Sequence, residues 1–194
     1  MNSIDFNYYF QLGWHHIISW DAIDHLYFIV ALSVIYQLKH WKQVLMLVTA
    51  FTIGHATTLF LSALDIIQLK GEWVEFAIPC TIVLSCLANF RKKGIQGGAD
   101  RLQYTMALFF GFVHGMGFAN TIRFLLSKDQ NMVGSLFGFN LGLEIGQIFV
   151  VLLVLIVGVV IGRTKFFNVR EWVLTVSSLI LGLALQLAIE RFPF

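Results

Sequence analysis

Six apolar runs, each about as long as a bilayer is thick, follow one another along the chain at about 20–38, 41–64, 73–90, 103–126, 132–161 and 171–189. A helix rises about 1.5 Å per residue, so roughly 20 apolar residues cross the ~30 Å of hydrocarbon. In hydrocarbon every backbone N–H and C=O must find its partner inside the protein, which a helix achieves within its own segment. The 194 residues are 58% hydrophobic and 12% charged, and no polar stretch of the size of a soluble domain flanks the runs. The expected fold is therefore all-α: one integral membrane domain over 1–194, a bundle of about six transmembrane helices in contact with lipid. Trp14, Trp20, Trp41, Trp73 and Trp172 each stand beside a run boundary, where indoles prefer the membrane interface.

The basic residues orient this bundle. Lys39, Lys42, Arg91, Lys92, Lys93, Arg101, Arg163, Lys165 and Arg170 fall in the first, third and fifth connections, against Lys70, Arg123, Lys128 and Arg191 opposite. Cytoplasmic loops collect Lys and Arg, so both termini are expected outside the cytoplasm. The glycine-rich link at 91–101 is expected to be a loop that sets topology or touches lipid headgroups. The first ten residues have no basic region, clean apolar core or small-residue cleavage site, so no removable signal peptide is expected. Cys80 and Cys86, six apart in one run, fall on different faces of a helix, which disfavours both a disulfide and a two-cysteine metal site.

Orientation gives the ionisable residues depths, and those inside the runs gather in the outer half. Asp24 and His25 lie a turn into a helix entering from outside, and Glu75 stands near the outer end of the third run. His55 is fourteen residues up the second run, roughly 21 Å into the ~30 Å core. His114 is near the middle of the fourth run, and Glu144 a dozen residues into the fifth. In the fifth run Asn140, Glu144 and Gln147 form one helical stripe, and Gly138, Gly142 and Gly146 the opposite one. One face would carry chemistry and the other would let a helix approach closely, within the chain or in a homo-oligomer. Thr52, His55 and Ser62 share a face of the second run, as do Gly111, His114, Phe118 and Thr121 of the fourth. Pro79 leaves the Glu75 carbonyl without its helical donor, so a kink there could aim Glu75 inward.

Any one intramembrane histidine serves equally well as a hydrogen-bonding tie between helices. Asp21 reads as a helix cap, His16 as a residue preceding the first helix, and His15 and His40 as ordinary interfacial residues. Three histidines and at least two carboxylates at matched depth exceed what packing requires. Imidazole with carboxylate is the ligand set of zinc, nickel, cobalt or iron, and the lack of clustered Cys or Met argues against copper(I). The candidate ligands are His25, His55, His114 and Glu144. Asp24 or Asn140 would hold the second nitrogen of a ligating imidazole, with Gln147 and Glu75 in support.

Four segments carry a family resemblance. His16 with Asp24-His25, Phe51-Thr-Ile-Gly-His55-Ala-Thr-Thr-Leu, Phe110-Gly-Phe-Val-His114-Gly-Met-Gly-Phe-Ala and Phe139-Asn140-Leu-Gly-Leu-Glu144-Ile-Gly-Gln147 resemble, in order, the signature blocks of the HupE/UreJ membrane proteins. That family is linked to hydrogenase and urease maturation. The resemblance implies a multi-pass protein of the bacterial inner (cytoplasmic) membrane, a nickel or cobalt permease with metalloenzyme maturation proteins as partners. It also implies that the histidines and acids of these blocks, His16 included, handle metal. The wide spacing from His16 to Asp24 and the sparse Val113-His114-Gly-Met-Gly block resemble the less characterised branch.

Two functions compete on these residues. The first is transport of a divalent transition metal (nickel, cobalt or zinc), taken up at His25, His55, His114 and Glu144 with Asp24 in support. Its weakness is the inner half, where Ile148–Ile161 is apolar and a path would have to use Ser33, Tyr36, Ser85, Asn89, Tyr104, Thr105 or Ser177. The second is an intramembrane zinc-type hydrolase of a lipid or peptide bond, with metal-activated water, Glu144 or Asp24 as base, and Ser62 or Asn140 stabilising an oxyanion. A structural metal in an assembly factor would use the same ligands. Nucleic acid is not expected as a partner.

Overall fold

The computed structural model describes residues 3–67, 71–91, 101–126, 131–163 and 168–194. These form seven α-helices and two short 3-10 turns, with no strand among the described residues: α1 (Ser3–Ile18), α2 (Ile23–Ser33), α3 (Trp41–Ala63), α4 (Gly71–Arg91), α5 (Arg101–Leu126), α6 (Met132–Gly162) and α7 (Val169–Glu190). The stretch 38–63, α4, α6 and α7 are each long and apolar enough to cross a membrane, and α5 has the length at 26 residues. The chain is an all-α membrane protein.

Helices α3 to α7 alternate in direction. We call upper the end where α3 and α5 finish, tied there by an Arg123–Asp65 ion pair of 2.5 Å. Arg91, Arg101, Arg163 and Arg170 all stand at the lower helix ends, with Lys39 and Lys42 at the start of α3. The link at 92–100, the side chain of Asp21, and Lys70, Lys92, Lys93, Lys128 and Lys165 lie outside the described residues.

The first apolar run, 20–38, is not one helix. Its helical part is only α2, eleven residues or about 16 Å, too short to cross ~30 Å of hydrocarbon. Before it the chain turns through an extended Ser19 and a 3-10 turn at Trp20–Ala22. After it, Ser33 Oγ bonds back to Ile29 O at 2.6 Å, and an extended Gln37 leads into the turn before α3. The residues ahead of the run form α1, so α1 and α2 are two half-helices joined at a break. His16, expected ahead of the first helix, stands in the last turn of α1. His40, expected as interfacial, is 7% exposed at the start of α3, while His15 is exposed.

Two glycine-lined contacts set the helix spacing. α1 runs parallel to the upper half of α6, with Phe6 against Gly138, Phe10 and Trp14 against Gly142, and Ile17 against Gly146. The glycine stripe of α6 thus serves internal packing. α3 and α5 also run parallel: Gly54 lies against Leu108, Gly111 against Phe51 and Gly115 against His55 and Thr58. A Cβ at Gly142 or Gly111 would run into the neighbouring backbone carbonyl, so backbones this close require glycine. The first contact fixes His16 on α1 relative to α6; the second fixes His55 on α3 relative to His114 on α5.

Candidate metal site

In one continuous helix His16 and His25, nine residues apart, would be separated by about 13 Å along the axis. The break between α1 and α2 brings their rings to a centroid distance of 4.7 Å. His55 of α3 completes the group, 6.2 Å from His16 and 5.8 Å from His25 by ring centroids. One nitrogen from each of the three lies within 4.8 Å of the others. His114 of α5 adjoins them, its ring 4.9 Å from that of His25.

Asp24 fixes the state of His25. Its Oδ1 accepts from the His25 backbone N–H at 2.8 Å and from His25 Nδ1 at 3.0 Å. A carboxylate can only accept, so Nδ1 carries the ring proton and the Nε2 lone pair is free. This is the carboxylate–histidine arrangement that orients metal-ligating imidazoles. His114 is held similarly: Thr81 Oγ1 donates to Ile78 O at 2.7 Å, so it accepts from His114 Nε2 at 3.1 Å, leaving Nδ1 as a lone pair.

The free nitrogens have nothing to bond to. His16 Nε2, His25 Nε2, both nitrogens of His55 and His114 Nδ1 are buried without a hydrogen-bond partner. Leaving one buried polar group unsatisfied costs about 1–3 kcal/mol, and here several converge on one spot. An ion with imidazole ligands would satisfy one nitrogen of each ring, and a metal–nitrogen bond of about 2.0–2.1 Å needs only modest ring adjustment from the observed spacing. The residues therefore fit a metal ion.

Aromatic rings wall the group. His16 packs on Phe118 at 4.4 Å, and Phe118 stacks on Phe139 at 5.2 Å. Below, Phe28 stacks on Phe51 at 4.8 Å and lies 5.3 Å from His114 and 5.7 Å from Phe110, which makes an apolar floor. Above, a cavity of about 120 Å³ is lined by His16, Asp24, His25, Glu75, His114 and Arg191, among others. One water needs about 10–15 Å³ of such space, so the cavity holds several. At its mouth Arg191 bonds Asp24 Oδ2 and Glu75 Oε2, each at 3.0 Å.

Of the residues singled out in the sequence, His16, His25 and His55 come together, His114 and Asp24 touch His25, and Glu75 reaches the cavity mouth. Glu144 is not in the group: its Oε1 accepts from Thr49 at 2.6 Å between α3 and α6. Gln147 does likewise with Thr52 at 3.0 Å. Asn140 donates to Leu136 O at 2.8 Å, and its side chain also interacts with His55. The sequence reading took Arg191 only as a topological charge and passed over Thr81 and Phe118 as partners of the histidines. Ser85 and Asn89 of α4 were expected on an inner path, but their continuation upward to Thr81 as one stripe was missed. Thr81, Ser85 and Asn89, spaced four apart, run downward from His114, with Ser85 bonding Thr81 O at 3.0 Å and Asn89 bonding Ala31 O at 2.8 Å and Ser177 at 3.2 Å. The four-residue spacing was the available signal.

The sequence model of one protein family, described as HupE / UreJ protein, matches residues 1–191. No curated protein matches the chain. No solved structure matches it either.

Proposed function

The chain belongs to the HupE/UreJ family, and from that premise we propose that it carries a divalent transition-metal ion across the membrane, binding it at His16, His25 and His55. The observation that carries this reading is the convergence of three imidazoles, each presenting at least one buried ring nitrogen without a hydrogen-bond partner. The ion is the cargo, and nickel or cobalt is the cargo the family resemblance implies. The basic lower helix ends favour a cytoplasmic lower side in a bacterial inner membrane, and in that orientation the cavity above the histidines faces outward.

In this scheme Asp24 keeps the His25 Nε2 lone pair aimed at the ion, and Glu75 and Asp24 draw cations to the mouth. His114 is the next imidazole, reached as the ion leaves the first three. The Phe28–Phe51–Phe110 floor closes the way down in this state. Below it the hydroxyls and amides of Thr81, Ser85, Asn89 and Ser177 supply oxygen ligands toward the lower end. The site is thus open above and shut below, as one state of an alternating-access carrier would be.

The hydrolase reading draws less support from the geometry. Glu144 is committed to Thr49, and Asp24 is shared between His25 and Arg191, so neither carboxylate is free to activate water at the histidines.

Sealed vesicles containing the purified protein, loaded with a metal-sensing dye and exposed to Ni²⁺, Co²⁺ or Zn²⁺, test transport. Wild type accumulates at least one of these ions and His55→Ala does not. Tight binding of the ion with no accumulation by wild type would refute carriage.

A further inference from the structure

We propose that Arg191 is a tethered cation occupying the transit position through which an incoming ion reaches the histidines, and that the segment Arg191–Phe194 is the upper gate of the cavity; this rests on the reading of the histidine group as a metal site.

Asp24 enters the cavity mouth from α2 and Glu75 from α4, and the guanidinium lies between them, 3.0 Å from each. Side-chain exposure rises across this trio, from 9% at Asp24 through 25% at Arg191 to 46% at Glu75, so Arg191 stands at the boundary between buried cavity and open surface. On its far side is a second, more open cavity of about 510 Å³, lined by Glu72, Glu75, Glu190 and the segment itself. Glu75 and Arg191 line both cavities. An ion gathered among those carboxylates meets Arg191 before it meets His25.

Two carboxylates facing each other in a half-buried mouth need a positive charge between them, since a buried charge without its partner is strongly unfavourable. The guanidinium supplies that charge when no ion is present. A metal ion and the guanidinium cannot share the position, so binding of one favours release of the other. The guanidinium offsets one of the two negative charges and a divalent ion offsets both, so in neither state is the carboxylate pair left without a cation. Asp24 is also the residue that holds His25 Nδ1, so release of Arg191 acts directly on the carboxylate that orients a ligand.

The segment is held from behind by a light latch. Phe192 meets Phe76 edge-on at 5.2 Å, and Phe194 meets Trp73 edge-on at 5.8 Å. Phe194 is 94% exposed and Phe192 51%, so these contacts bury little surface and can release. An edge-to-face pair contributes modestly beyond the area it buries, which suits a gate better than a fixed tie.

The test uses the full chain in lipid nanodiscs, with Cys80→Ser and Cys86→Ala removing the native thiols and Ala22→Cys placing one thiol in the cavity wall. The readout is the rate at which a small cationic methanethiosulfonate modifies that thiol. The open state of such a gate is on the order of 0.1–10% populated, so releasing it should raise the rate about tenfold or more. We expect that rise in Arg191→Gln and again in the Phe192→Ala/Phe194→Ala double variant, with Arg191→Lys returning toward the parent. The double variant keeps the ion pair, so misfolding of Arg191→Gln alone does not decide the matter. Rates in the double variant equal to the parent's would overturn the gate. Zn²⁺ binding is measured on the same samples. Zn²⁺ bound with unshifted rates removes the gate and keeps the metal site, whereas shifted rates with no Zn²⁺ bound keep the gate and remove the metal site.

Discussion

At the scale of single residues, the account rests on which nitrogens are free. Asp24 and Thr81 each accept a hydrogen bond from one histidine ring N–H, and in doing so turn a lone pair of His25 and of His114 toward the group. Carboxylates in this position typically change metal affinity 10–100-fold when lost, and Asp24→Asn should weaken Zn²⁺ or Ni²⁺ binding by about that much in a chelator-competition titration. Glu144→Gln should leave the affinity unchanged, because Glu144 is bonded to Thr49 rather than to the histidine group. Loss of binding in Glu144→Gln with none in Asp24→Asn would reverse the two roles. Here the sequence was partly legible. The type and depth of each histidine could be read from its distance to the run ends, but the direction in which Glu144 points depends on how α6 is rotated against α3. That rotation is set by the opposite, glycine-lined face meeting α1, a helix that the apolar pattern did not reveal.

At the scale of elements, the broken crossing is the main departure from the sequence reading. α1 escaped notice because its outward face, Asn7, Gln11 and His15, is polar and exposed, which lowers the average below that of a membrane span. Its inward stripe of Phe6, Phe10, Gly13 and Ile17 was nonetheless there at helical spacing. The break has no proline or glycine to announce it, so nothing local in Ser19–Ala22 distinguishes it from the start of a longer helix. By contrast the five later helices follow the later apolar runs closely, because each run is long and bounded by tryptophan or charge. The tight α1–α6 contact carries a prediction. Gly142→Leu forces α1 away from α6, at a cost of about 1–3 kcal/mol or more for overpacking, and takes His16 with it. Thermal unfolding in detergent should show the loss of stability, and metal binding should fall. Gly182→Leu on α7, where a Cβ would meet nothing within 4 Å, should show neither effect. Equal behaviour of the two variants would mean that the close α1–α6 approach is not what positions His16.

At the scale of the molecule, the upper cavity, the histidine group, the aromatic floor and the polar stripe of α4 lie in that order from top to bottom. A carrier requires all four, whereas a binding site alone requires only the second. Asn89 ties α4 to α2 and α7 in the lower half, at Ala31 O and Ser177. Asn89→Leu should therefore leave equilibrium metal binding intact while slowing vesicle accumulation, and accumulation at the wild-type rate would show that the lower polar stripe is not the path. The lower half of α6 is apolar, as its sequence indicates, and of the polar residues expected for the inner half Asn89 of α4 and Ser177 of α7 are brought together.

The claim beneath all of these is that one ion is held by three imidazoles brought together by a break in the chain. The most direct measurement is the metal content of the purified protein after loading with Ni²⁺ or Zn²⁺ and desalting, for wild type beside His16→Ala, His25→Ala and His55→Ala. The account predicts one ion per chain in wild type and loss of that ion in each of the three variants. Stoichiometric metal retained in all three, or none bound by the wild type under any loading, would contradict it.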